Sequence, residues 1–575
     1  MSVEILSTLA TMDPIQTGRS ALMAGDFDQA VDCFQAAART RPQDADSRYW
    51  LYSAAVAAGQ YDTATQALAE ARDLQAIAAI RAAGADMVRF QSDQAYCGEV
   101  GTALYAGKLM GPASFALGRS LDFDRLDGRL MISYGLSLQH QGRTEDAVNV
   151  FSVAADSFDN ASVHEFLIYA LFHAQDGVAR VAQEARRWAE RHTARLQPAD
   201  PVFSNERTTE RRLRIGYMGP NFTRSQVAQF LLPVLEAHDP EAVDVFLYCP
   251  EPEAESGLPD HMHRRAIADL SDEAVATLIR DDRIDILIDV WGHAAGNRLT
   301  VFAHRPAPVQ IAWINFVQTT GLACMDYVLH ADSMDAPGTA DYFVEQIWRM
   351  GEIMVPYRPA SDRPDPVPTP AMEKGHVTFG SFNNPAKISE PTVFAWAQIL
   401  RARPADRLVF KYSYYVDPVL QRVTQARFAS YGVDPDRLEF RGHSVGADYL
   451  RAFADIDLAL DPSPCPGGTT TCDALANGVP VLTLKGPDFF SRIGLPALLP
   501  CGLTELIAED WDDYVAKALD LTADAGALDV LRQRVRPAFE GSAYRDEAGF
   551  TRRLEDNFRQ MFSLWLDRSA VQAKA

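Results

Sequence analysis

DPSPCPGGTTTCDALANGVPVLTL, running from Asp461 to Leu484, is the stretch whose reading decides the fold. The run before it, Ile456 to Leu460, is short and apolar, and Val479 to Leu484 at its end is another. Runs of that length bounded by Pro and Gly read as buried strands, with the small residues between them forming a helix. Gly467 and Gly468 let the backbone approach a ligand closely. Thr469, Thr470 and Thr471 place hydroxyls and free N–H groups at the helix start, and such a helix N-terminus attracts anions. The same residues also suit an ordinary N-capped helix, because Thr caps well. Locally, both readings stand.

Around this unit the βα pattern repeats. VTFGSF, RLVFKY, LEFRG, IDLALDP and VPVLTL form one series of short apolar runs. From Arg212 an earlier series reads RLRIGYM, VDVFLYC, IDILIDVWG, VQIAWIN (Val309 to Asn315) and MDYVLHAD (Met325 to Asp332), with helical stretches at Val227 to Ala237 and Asp272 to Arg280. This is the alternation of parallel sheets. Tyr357 to Pro370, which carries five prolines, reads as a semi-rigid linker between the two series. Two such halves predict a cleft at the carboxyl ends of their strands. The last helical stretch, Phe550 to Asp567, is expected to fold back across both.

The first third is different. GDFDQAVDCFQAAARTRP begins at Gly25 and GQYDTATQALAEARDL at Gly59, so Gly25/Gly59, Phe27/Tyr61, Ala30/Ala64 and Ala37/Ala71 all recur at a spacing of 34. GRTEDAVNVFSVAADSF repeats the pattern at Gly142, Ala147, Phe151 and Ala154, and Ala113 sits 34 residues before Ala147. That period resembles the tetratricopeptide repeat. The alanines let paired helices approach closely, and Phe27 and Tyr61 are expected to fill the gap between repeats. Ala182 to Arg195 is expected to close the array, whose concave face suits an extended protein segment.

A chain of 575 residues is too long for one core, and 47% apolar with 23% charged residues is the composition of a folded soluble protein. A net charge of −23 argues against nucleic acid as a main partner. The seven cysteines (33, 97, 249, 324, 465, 472 and 501) form no CxxC pair and suggest reduced thiols in a cytoplasmic protein without a zinc site. The start, MSVEILSTLATMDP, lacks the pattern of a signal peptide, and no apolar run reaches the roughly 18 residues of a membrane span.

ARRWAERH, LRIGYMGPNF, GHAAGNRLTVFAHRPAPVQIAW, MDYVLHAD, HVTFGSFNNPAKIS, DIDLALDPSPCPGGTTTCDALANGVPVLTL and SRIGLPALL stand in order from Ala185 to Leu499. Together they resemble the bacterial SPINDLY-like and O-GlcNAc-transferase-like proteins of glycosyltransferase family 41. The resemblance implies a tetratricopeptide array over residues 1–200 followed by a GT-B transferase. Its two Rossmann-like domains, 205–360 on the acceptor side and 371–575 on the nucleotide-sugar side, would face a cleft.

The resemblance also assigns roles. Lys387 falls where the family has the lysine that contacts the donor pyrophosphate, with Asn384 as the polar residue beside it. Its charge would stabilise the leaving group. Gly467, Gly468, Thr469, Thr470 and Thr471 match the phosphate-binding turn, and Asp473 matches a carboxylate on the ribose. Tyr449 aligns near a histidine that packs on the donor base in relatives. Where relatives read DFxxHSVAYF this chain reads NFTRSQVAQF, so Asn221 and Ser225 replace an Asp and a His, and Gly468 stands where eukaryotic relatives have another His. His293, in DVWGHAAGN at a strand end, is a candidate to position or deprotonate the acceptor hydroxyl; a structural histidine fits there equally. No metal-ligand cluster is evident, and no metal or other cofactor is expected.

The implied activity is inverting, metal-independent transfer of a sugar, of the UDP-GlcNAc type, to Ser or Thr of a protein bound by the repeats. Two alternatives stay open. One is a flagellin glycosyltransferase using a CMP-nonulosonic acid donor. The other is a non-catalytic repeat scaffold with a degenerate transferase domain.

Overall fold

The computed structural model describes residues 13–121, 126–174, 176–199 and 201–572. It opens with a helical array: α1 (Pro14–Ala24), α2 (Phe27–Thr40), α3 (Ala45–Ala57), α4 (Tyr61–Ala82), α5 (Met87–Ser92), α6 (Gln94–Ala106), α7 (Met110–Ser120), α8 (Gly128–Gln139), α9 (Thr144–Ser157), α10 (Ala161–Leu171) and α11 (Gly177–Thr193). Asp13, Asp26, Asp44, Asp86, Asp93, Asp127 and Asn160 cap seven of these helices by accepting a backbone N–H from the first turn. The recurring alanines Ala30, Ala37, Ala64, Ala71, Ala113, Ala147 and Ala154 are buried between helices.

The aromatic filling differs from expectation. Phe27 and Tyr61, at the first turns of α2 and α4, are exposed to 37% and 70%. The gap is filled one turn or more later, where Phe34 stacks on Trp50 at 5.8 Å and Phe151 is fully buried. Both rings lie on glycines. A Cβ on Gly18 would come within 2.8 Å of Phe34, and one on Gly135 within 2.4 Å of Phe151. The repeat therefore pairs a glycine on one helix with a phenylalanine on the next.

Two parallel sheets follow, so the chain has the expected class of a helical array followed by two α/β halves. The first contains β1 (Leu213–Met218), β2 (Val243–Cys249), β3 (His263–Ala266), β4 (Ile286–Asp289), β5 (Val309–Ala312), β6 (Tyr327–His330) and β7 (Gln346–Arg349), in the order β3-β2-β1-β4-β5-β6-β7. Helices α12 (Ala228–Ala237), α13 (Asp272–Asp281) and α14 (Leu299–Ala303) connect them. The second contains α15 (Ala371–Lys374), β8 (Thr378–Ser381), α16 (Glu390–Ala402), β9 (Arg407–Lys411), α17 (Pro418–Ala429), β10 (Leu438–Arg441), α18 (Gly446–Arg451), β11 (Leu458–Leu460), α19 (Thr469–Ala476), β12 (Val481–Leu484), α20 (Leu495–Leu498) and β13 (Ile507–Ala508), ordered β10-β9-β8-β11-β12-β13. In each sheet the chain reverses its direction of growth beside the first strand. The carboxyl ends of the strands there open a crevice.

The proline-rich segment between the sheets is strapped down. Thr369 N–H donates to Asp529, and Arg532 and Arg536 donate to the carbonyls of Val367 and Pro364. These partners belong to α22 (Ala525–Glu540), which follows α21 (Trp511–Leu521). The final helix, α23 (Glu547–Gln572), returns to the first half. Its Glu555 accepts hydrogen bonds from His238 Nδ1 at 2.7 Å and from Asp239 N–H, and Arg559 donates to the carbonyls of Arg211 and Ala242.

The array grips both halves. Toward its carboxyl end, Gly321 (φ +76°) lies against the Ala185 carbonyl so closely that a Cβ would sit 2.2 Å from it, and Phe172 packs on Phe316 and Phe490. Nearer its start, α3, α4 and α7 carry α17 of the second half. Tyr49, Ala71, Val419, Val423 and Ala426 share one buried cluster. Asp417 Oδ2 accepts the Gly111 N–H at 2.6 Å, and Ser53 donates to the Ala426 carbonyl at 2.9 Å. Part of the array's surface thus packs against the chain itself.

Candidate active site

The crevice between the halves is a cleft of about 720 Å³ with three walls. The second half contributes the loops after β8, β9, β10 and β11. The first half contributes Gln226, Gln229, Phe230 and Asn315, and the array contributes Lys108, Tyr169, Phe172 and His173.

After β8 the chain turns through Asn383 and Asn384 into a short 3₁₀ turn. Asn384 Oδ1 accepts the Ala386 N–H at 3.1 Å, which orients the turn so that Lys387 faces the cleft. Lys387 Nζ donates to the Pro466 carbonyl at 2.9 Å, and among the described residues no carboxylate lies within ion-pair distance of it. Its charge remains available to a ligand.

β11 ends one residue before Asp461, which is buried beneath the next loop. Its carboxylate accepts from Gly467 N–H and from Thr471 Oγ1 at 3.1 Å, and burial pushes it up to about 6. Gly467 is required by this packing, because a Cβ would sit 2.4 Å from Thr471 Oγ1 and 2.9 Å from Asp461 Oδ1. Gly468, by contrast, opens onto the cleft with nothing within 4 Å of a Cβ position. No side chain caps α19. Its first N–H groups and the positive end of its dipole face open space beside Lys387.

The five turn residues therefore divide. Gly468, Thr469 and Thr470 line the cleft, with Thr470 Oγ1 donating to Asn383 Oδ1 at 3.0 Å. Gly467 and Thr471 do not line it; they anchor the loop on Asp461. One turn further, Asp473 lines the cleft although it is only 4% exposed. Its carboxylate accepts from Tyr357 at 2.5 Å and from Tyr449 at 3.0 Å, and burial raises it to about 6. Tyr449 also packs edge-on against Phe453 at 5.5 Å and borders the loop that carries His443 and Ser444.

His293 is placed elsewhere. Its ring is 1% exposed and wedged edge-on against Trp188 at 4.7 Å and Phe316 at 5.4 Å. Nε2 donates to the Thr320 carbonyl at 2.9 Å, and Nδ1 lies 3.8 Å from Glu165 of the array. It is buried and does not line the cleft, and its contacts run between the array and the first half. Asn221 and Ser225 do not line the cleft either; each holds a buried side-chain oxygen without a hydrogen-bond partner.

Two other histidines do line the cleft: His443 on the loop after β10 and His173 on the array wall. His173 is held there. Gln139 donates to its Nδ1 at 3.0 Å, which leaves the ring hydrogen on Nε2. Burial, reinforced by the Lys387 charge, lowers it to about 3, so the ring is neutral. Nothing in the local sequence marks it, because it follows α10 outside every recognisable motif.

Residues 151–354 and 370–554 match the profile of Glycosyl transferase family 41. The chain belongs to this family. It is 33% identical over 422 residues to a probable UDP-N-acetylglucosamine–peptide N-acetylglucosaminyltransferase SPINDLY of Oryza sativa, which covers 72% of this chain and 45% of the relative. It is 34% identical over 418 residues to the SPINDLY protein of Arabidopsis thaliana, covering 70% and 45%. The chain thus spans less than half the length of these curated relatives. Among solved structures, a point mutant of the Thermobaculum terrenum O-GlcNAc transferase superposes with a TM-score of 0.76 at 28% identity, over 99% of this chain and 100% of that one.

In this family 41 chain the matched segments begin within α9 and end within α23, so they include the last array helices that wall the cleft. Among the described residues no group of three or more His, Cys, Asp or Glu is placed to hold a metal ion, and no helix is long and apolar enough to cross a membrane.

Proposed function

We propose that the chain is a protein O-glycosyltransferase that moves a sugar from a nucleotide-sugar donor, of the UDP-GlcNAc type, to a serine or threonine hydroxyl of a protein held at the array side of the cleft. The observation that carries this reading is the convergence of Lys387, without a carboxylate partner, with the uncapped start of α19 in one three-walled cleft. On this reading the two phosphates take that place, and Asp473 and Tyr449, which line the same cleft, take the ribose and base.

In the proposed reaction the acceptor oxygen bonds to the anomeric carbon as the bond from that carbon to the diphosphate oxygen breaks. Attack from the face opposite the diphosphate inverts the centre, and the acceptor's proton passes to solvent. The negative charge developing on the diphosphate is met by Lys387 and by the α19 N–H groups, so no metal is required. The neutral His173 offers an N–H on the array wall.

Calorimetry and thermal melting with UDP, GDP and CMP test the donor end. Saturable stabilisation by UDP is expected. A shift with CMP alone overturns the UDP assignment, and no shift with any of the three favours a non-catalytic scaffold. Intact-mass measurement of candidate acceptors co-expressed with and without the protein tests the transfer, and chelation is expected to leave it unchanged.

A further inference from the structure

Lysine is rare in this chain: it has seven among 54 basic residues. Three of the seven, Lys108, Lys387 and Lys411, line the one cleft, and no arginine lines it. Arginines elsewhere are mostly paired with carboxylates, as in Arg211–Asp285 and Arg265–Asp282. None of the three cleft lysines has a carboxylate within ion-pair distance among the described residues, whereas Lys485 and Lys517 pair with Glu509 and Asp513. Among the described residues the only acidic one lining the cleft is Asp473, whose oxygens both accept from tyrosines. In a chain of net charge −23, this is a concentrated and uncompensated positive field.

On the reading above, the diphosphate takes Lys387 and the start of α19. Lys108 and Lys411 remain. Lys411 ends β9, and its Nζ donates only to the Gly442 carbonyl at 3.2 Å. Lys108 stands in the turn between α6 and α7 with φ +62°, a left-handed conformation that costs a residue with a side chain and persists where the surroundings hold it. The two reach the cleft across one aromatic junction. Tyr412, which follows Lys411, packs on Tyr414, and Tyr414 stacks on His140 of the array at 4.1 Å. Tyr105, three residues before Lys108, is near enough to push the Tyr414 phenol up, after burial and Tyr412.

We propose that Lys108 and Lys411, from different walls of the cleft, bind a carboxylate that is separate from the donor's diphosphate. This rests on the nucleotide-sugar reading. A carboxylate can reach that place from two sources: an acidic donor sugar, or an acidic residue beside the acceptor serine or threonine. Lysine suits either, because its compact ammonium is a point charge that accommodates a ligand from several directions.

The test uses the full chain and its Lys108→Gln and Lys411→Gln variants, by calorimetry at low salt. UDP alone, UDP-glucose and UDP-glucuronic acid probe the donor source; the last two differ by the carboxylate. A serine peptide flanked by Asp and Glu, and its Asn and Gln counterpart, probe the acceptor source in the presence of UDP. A preference of about tenfold for the carboxylate-bearing member of either pair, lost in both variants, supports the proposal and names the source. UDP binding with no preference in either pair overturns this proposal alone. A preference that survives in both variants also overturns it. If UDP does not bind at all, the donor reading falls and this proposal falls with it.

Discussion

Tyr357, in the segment that joins the two α/β halves, donates its hydroxyl to Asp473 at 2.5 Å, so the linker holds a residue by which the second half lines the cleft. Removing that hydroxyl in Tyr357→Phe leaves a buried carboxylate with Tyr449 as its remaining side-chain donor. A loss of about 1–3 kcal/mol in unfolding free energy is expected, together with weaker UDP binding. Chemical denaturation and calorimetry measure the two. Unchanged UDP affinity would show that the linker contact is structural only.

The same carboxylate gives a pH dependence with a defined sign. Asp473 is raised from its ordinary value of 3.8 to about 6, chiefly by burial, so the folded protein holds this proton more tightly than the unfolded chain. As pH rises from about 4 to 6 the unfolded chain releases the proton first, and this group's contribution to stability falls across that window and is level above it. Ribose hydroxyls need the ionised form, so UDP binding should strengthen over the same interval. Asp461 and Asp417 also titrate near 6. The informative quantity is therefore the difference between wild type and Asp473→Asn, which should lack this step.

The division of the threonines predicts a crossed result. Thr471→Val removes a buried donor to Asp461 and should cost about 1–3 kcal/mol of stability with little change in UDP affinity. Thr469→Ala, at the open helix start, should do the opposite: stability nearly unchanged and UDP affinity reduced about 3–10-fold. Equal effects of both on binding would sink the division.

Lys387→Ala removes a charge that donates to the Pro466 carbonyl and has no carboxylate within ion-pair distance among the described residues. Transfer is expected to fall by about 10²-fold or more while the melting temperature stays close to wild type. Normal turnover in a folded variant would exclude the proposed role.

Gly111→Leu tests the grip of the array on the second half. A side chain there meets Val419, since even a Cβ would lie 2.6 Å away. Overpacking of this kind costs roughly 1–3 kcal/mol, and limited proteolysis should cut the variant between array and transferase faster than wild type. A protease-resistant variant would mean that α17 yields without loosening the array.

Much of the fold could be read from the chain because the buried strands of a parallel sheet are short apolar runs. β3 and β7 escaped for the complementary reason. HRRA and QIWR are half-exposed edge strands, so nothing in their composition sets them apart from loops. At the site, the motifs around Lys387 and Thr469 fixed neighbourhood but not direction. Thr469 and Thr471 are both threonines, yet one faces the cleft and the other Asp461, because a helix turns each residue by about 100°. His293 misled because a strand's carboxyl end is near the crevice in sequence terms while its loop folds back under Trp188. His173 and Lys108 were invisible because they line the cleft from array elements far away in the chain.

Because the array is pinned to α17 at one place and to the Gly321 and Phe316 region at another, the molecule is a triangulated truss rather than a hinged jaw. The strapped linker forms one side, and the two lobes with the array complete the others. Widening the crevice would require shear at one of those two contacts, so movement of the lobes and of the array wall is mechanically one event.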